Sequence, residues 1–124
     1  MYNTLLKNEE EVLNQANEII AERLKELNRR SRFCFTPTEI ARQYGIGAAD
    51  LHSFLKDKNI IFRKQGCYHL TKKYQGLGLT EYQYKLVTDS EGHPKLKAKQ
   101  VWTEAGRQFL NDFIMKIDNM RIKN

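Results

Sequence analysis

Apolar residues in the first third of the chain recur as doublets every seven positions: Leu5-Leu6, Val12-Leu13 and Ile19-Ile20, followed by Leu24 and Leu27. Placed on 3.6 residues per turn they form one continuous stripe, so residues 4–29 are predicted to be a single amphipathic helix. Neither Gly nor Pro interrupts it. Further on, Phe35-Thr36-Pro37-Thr38-Glu39-Ile40 is a dense helix-start signal. Thr36 suits the N-cap, Pro37 the first helical position and Glu39 the reciprocal arm of a capping box. Phe35 and Ile40 are placed to form the accompanying hydrophobic staple. The helix is expected to run to about Tyr44, turn at Gly45-Ile46-Gly47, and be followed by a second helix from Ala48 to about Lys58. Ile46, Leu51, Phe54 and Leu55 are expected to set the interhelical angle from inside, with small Ala41 allowing close approach.

The pattern then changes from helical to extended. Residues 60–65 and 67–71 flank Gly66 and read as a hairpin or wing. Residues 81–87 alternate, with Tyr82, Tyr84 and Leu86 on one face. Asp89 to Pro94 is a turn and residues 95–101 are the return strand, with Lys95, Lys97 and Lys99 sharing a face opposite Leu96 and Ala98. A last helix is expected to begin at the N-cap Thr103 and to bury Phe109, Leu110, Phe113 and Ile114. The polar run Asn28-Arg29-Arg30-Ser31-Arg32 divides the chain into an amphipathic helical segment, 1–32, and a globular domain, 33–124.

Charge sharpens this division. The formal net charge is +6. Residues 1–32 hold six basic and six acidic side chains, whereas 56–101 hold ten basic and four acidic. An excess confined to one segment points to a polyanionic partner. Length and the hydrophobic fraction of 40% suit one modest core. No apolar run is long enough to span a bilayer, and no secretory leader is evident, so a cytoplasmic protein without membrane contact is expected. Cys34 and Cys67 lie far apart and read as two ordinary thiols. Neither a metal site nor a cofactor is expected, because metal-binding sequences bring closely spaced ligand pairs and only the Cys67/His69 pair is present. His52, His69 and His93 are scattered, and no acid–base pair is apparent, so no enzymatic activity is expected.

The order of elements resembles a known family. It rests on T-E-I-A-x-x-Y-G-I (38–46), L-x-x-F-L-K (51–56), I-I-F-R-K-Q-G-C-Y-H-L (60–70), K-Y-Q-G-L-G (73–78) and W-T-E-A-G-R-Q-F-L (102–110). Together these resemble the C-terminal (KilAC) domain of phage antirepressor proteins over about eighty residues, Phe35 to Ile114. The resemblance implies DNA binding, a role in relieving prophage repression, and a bacterial host cell as the setting. Family members usually carry another domain ahead of this one.

The expected fold is thus α+β: a winged helix-turn-helix-like domain with a small antiparallel β-sheet, preceded by a long N-terminal amphipathic helix. Candidate DNA contacts are His52, Ser53 and Lys56 on the second helix of the pair, Arg63 and Lys64 in the wing, and the row Lys95, Lys97 and Lys99. The second helix is poorly equipped for base readout, because Asp50 and Asp57 add negative charge to it and it lacks the Arg, Asn or Gln that read base edges. Phosphate contact with weak sequence preference is therefore expected. Alternating lysines also protect an edge strand from aggregation. Tyr82 and Tyr84 are expected to pack on helices rather than stack on bases. The alternative is a protein-interaction module that engages a phage repressor protein directly. Homo-oligomerisation is expected through Leu6, Val12, Leu13, Ile19, Ile20, Leu24 and Leu27.

Overall fold

In the computed structural model the backbone is described for residues 2–123 and side chains for residues 8–118. The long helix is present as α1 (Tyr2–Leu27). Its side chains from Asn8 to Arg23 are all exposed, and Leu24 is half-buried. Leu6 lies outside the residues whose side chains are described.

Helix α2 (Pro37–Gln43) starts as its sequence predicts. The Thr36 hydroxyl accepts the Glu39 N–H at 3.2 Å, and the Glu39 carboxylate accepts the Thr36 N–H at 3.2 Å. It ends in a Schellman motif. Gly45 adopts φ +70°, its N–H donates to the Arg42 carbonyl, and the Ile46 N–H reaches back to Ala41. That φ is one that residues with a Cβ resist. The motif places Ile46 just outside the last turn, where its side chain is 39% exposed. Ile46 was expected inside, between the helices, and lies at their rim instead. Helix α3 (Ala48–Asp57) ends the same way, with Asn59 at φ 59° and the Ile60 N–H donating to Leu55. There the corresponding residue, Ile60, is fully buried.

Strands β1 (Ile61–Lys64) and β2 (Cys67–Leu70) pair antiparallel around Gln65-Gly66. Both turn residues have positive φ, the type I′ geometry of two-residue hairpins. Strands β3 (Thr80–Thr88) and β4 (Pro94–Trp102) form a second two-stranded ribbon. The expected single sheet is therefore two small antiparallel sheets. With four α-helices among the described residues, the fold class is α+β. Helix α4 (Glu104–Lys123) closes the chain.

The core gathers Ile40 and Ala41 of α2, Leu51 and Leu55 of α3, Ile61, Leu70, Leu79, Trp102 and Leu110. Trp102 is its largest fully buried side chain, and three connections meet at it. Its backbone N–H and carbonyl exchange hydrogen bonds with Phe35 at 2.8 and 2.7 Å, tying the entry of α2 to the end of β4. Thr103 caps α4 by accepting the Gly106 N–H at 3.0 Å, while its hydroxyl donates to the Gly78 carbonyl at 2.6 Å. Gly106 then lies against Leu79 so closely that a Cβ would fall 2.0 Å from the Leu79 carbonyl oxygen. Leu110 is buried as expected, whereas Phe109, Phe113 and Ile114 are only half-buried.

The polar run after α1 is more than a divider. The Asn28 side-chain amide accepts the Tyr84 N–H at 2.6 Å and donates to the Tyr84 carbonyl at 2.9 Å. It thus occupies the free edge of β3 in the way a neighbouring strand would, and Ser31 is buried beside it. These two contacts join the end of α1 to the ribbon.

Candidate functional site

The ribbon register decides which cations share a surface. Lys95, Lys97 and Lys99 lie opposite Val87, Lys85 and Gln83. Directly opposed residues point to the same face, so Lys85 joins the predicted lysine row. All four lysines are exposed. Two like charges directly opposed, Lys85 and Lys97, are unfavourable for the ribbon alone. Sequence reading missed Lys85, although the symmetry of two equal strands about the Asp89–His93 turn was available to find it.

On the hairpin, alternation separates the two predicted wing cations. Arg63 pairs with Tyr68, and its guanidinium lies 5.5 Å from the centre of the Tyr68 ring. Tyr68 stacks in turn on His52 of α3, with centroids 4.1 Å apart and planes at 23°. His52 was a candidate DNA contact; it is half-buried under this stack. Burial lowers its pKa below the ordinary 6.5, and the charges of Lys99 and Arg63 lower it further. The basic strip is Arg63 on the hairpin together with Lys85, Lys95, Lys97 and Lys99 on one face of the ribbon. Lys56 is one turn beyond His52 on α3 and is exposed, as is Ser53.

Lys64 turns to the other face of the hairpin. Both wing cations, with Lys97, nevertheless rim a cleft of about 490 Å³ between the Gln65-Gly66 turn and the ribbon, with Tyr82, Tyr84 and Leu96 among its walls. The two tyrosines were expected to pack on helices. Tyr82 instead packs on the hairpin: its hydroxyl is hydrogen-bonded to His69 Nδ1 at 2.6 Å, and the rings are 5.5 Å apart. Cys34 and Cys67 are free, and burial pushes both thiols up from their ordinary pKa. No helix among the described residues is long and apolar enough to cross a membrane.

The predicted oligomerisation residues divide at the end of α1. Val12, Leu13 and Ile19 are 61–64% exposed, and Ile20 and Leu27 are exposed as well. Leu24 is the half-buried member.

The architecture and the surface together define a small α+β domain with a two-helix unit, a hairpin and a basic ribbon. Residues 27–116 match the phage antirepressor protein KilAC domain, and the chain belongs to that family. Comparison with curated proteins returned no match, and comparison with solved structures returned none.

Proposed function

We propose that this domain is the DNA-binding module of a phage antirepressor, acting in the cytoplasm of the bacterial host to relieve prophage repression. The observation that carries the reading is the row of four exposed lysines, Lys85, Lys95, Lys97 and Lys99, on one face of the ribbon. Arg63 on the hairpin, stacked over Tyr68 beside His52 of α3, supports adding the wing to that row. The order of α2, tight turn, α3 and hairpin supports reading the domain as a winged helix-turn-helix. The strip supplies phosphate contacts, and α3 supplies few base-reading groups, so affinity is electrostatic and sequence preference weak.

The test compares two variants of equal charge change for binding to a labelled random duplex at low salt. Arg63→Glu with Lys99→Glu alters the strip. Lys72→Glu with Lys73→Glu alters the short turn after β2, where Lys73 lies 5.5 Å from the Tyr74 ring and Tyr74 packs on Phe109 of α4. The first variant loses binding and the second retains it. Equal losses would show that only net charge matters.

A second reading is favoured by α3 itself, which exposes Asp50 and Asp57 beside Lys56. In that reading the module engages a phage repressor protein directly. It takes over if the parent does not bind duplex DNA even at low salt.

A further inference from the structure

The exposed stripe on α1 carries a charge pattern that selects its partner. Successive positions on an α-helix are 100° apart, so residues seven apart nearly superpose. Glu9, Ala16 and Arg23 therefore lie along the middle of the stripe. Val12 and Ile19 border it on one side, and Leu13 and Ile20 on the other. Two charged residues thus sit inside an apolar band, at equal distances either side of an alanine. All seven side chains are exposed, so the protein's own domain does not cover them. Asn28, which docks on β3, lies on a different side of the helix, with half-buried Leu24 between.

We propose that the occupant of this stripe is the same stripe of a second copy, packed antiparallel about Ala16. This pairing sets Glu9 of each copy beside Arg23 of the other, twice. It sets Val12 and Leu13 against the partner's Ile19 and Ile20, and it places the small alanines at the crossing, where the helices approach most closely. A parallel pair would set Glu9 against Glu9 and Arg23 against Arg23 within the apolar band, and acidic against acidic at its end. Opposite charges set within a helical interface select orientation in this way. From Asn8 to Leu27 the helix is about 30 Å long at 1.5 Å per residue. That is about three heptads, near the lower limit for a two-helix coiled coil, so the dimer dissociates in a measurable concentration range. The inference does not depend on DNA binding.

The test is sedimentation equilibrium on four full-length proteins whose helicity and unfolding midpoint are first shown to be alike: the parent, Glu9→Arg, Arg23→Glu, and the double variant. Antiparallel pairing converts two attractions into two repulsions in each single variant, weakening dimerisation by about tenfold or more, and the double variant restores it. In a parallel dimer every variant keeps like facing like, and all four proteins associate equally. That result overturns the orientation. A parent that stays monomeric up to several hundred micromolar overturns the proposal as a whole. Leu13→Asp with Ile20→Asp serves as the monomeric reference, and a persistent dimer in that variant would place the interface elsewhere.

Discussion

Gly106 stands where no side chain fits. A Cβ there would lie 2.0 Å from the Leu79 carbonyl oxygen and 3.0 Å from the Trp102 ring. The first turn of α4 must therefore pull away from the core in Gly106→Ala. Overpacking costs about 1–3 kcal/mol and occasionally more, and the backbone clash puts this variant at or above the upper end. A denaturation midpoint close to that of the parent would show that α4 shifts without cost. Trp102→Ala removes the largest buried ring and is expected to cost about 3–5 kcal/mol, read in the same experiment. His52 gives a pH signature. Its folded pKa is lowered, first by burial and then by Lys99 and Arg63, so the unfolded chain takes up the proton more readily. The stability this contributes is complete above about pH 6.5 and is lost as pH falls from there through the lower folded value. His52→Gln should flatten the fall in stability between pH 7 and 5, and an unchanged slope would assign it to other groups. The Trp102-Thr103-Glu104-Ala105-Gly106-Arg107 run was legible as a cap and helix. The reason for its glycine was not, because the Leu79 carbonyl comes from a loop more than twenty residues away.

At the scale of elements, signals carried by near neighbours were legible. The capping box of α2, the turn at Gln65-Gly66 and the limits of both ribbon strands each depend on residues a few positions apart. What needed the fold was non-local or depended on chain direction. Ile46 has the composition of a core residue, but the Schellman turn at Gly45 leaves it at the rim. Tyr82 alternates correctly, yet its partner is His69 of the other hairpin. Asn28 is one polar residue among several, and only the position of β3 makes it a substitute strand. Removing its two hydrogen bonds to Tyr84 should weaken the junction of α1 with the ribbon. Asn28→Ala is expected to cost about 1 kcal/mol, since water can satisfy the half-buried groups it leaves. Hydrogen exchange of the Tyr84 amide should speed up selectively in that variant. If protection there is unchanged, the amide pair does not hold the junction.

Over the whole molecule, the charge is divided by task. The charges of residues 1–32 balance, and Glu9 and Arg23 stand symmetrically about Ala16, which suits a partner bearing the same pattern. The excess lies on the hairpin and ribbon, which suits a polyanion. The candidate site was legible in part. The Lys95, Lys97 and Lys99 row follows from alternation alone, and Arg63 from the wing. Lys85 and the stacking of His52 on Tyr68 required the strand register and the packing of α3. The central claim is that these cations hold DNA by its phosphates, and its most direct measurement is the salt dependence of duplex binding by fluorescence anisotropy. Log affinity should fall linearly with log salt, with a slope near −0.9 for each phosphate contacted. Replacing Lys95, Lys97 and Lys99 together with Ala should make that slope shallower by about 2–3 units while the unfolding midpoint stays close to that of the parent. An unchanged slope would mean that the lysines only guard the ribbon's edge, and a parent that does not bind DNA at low salt would contradict the claim itself.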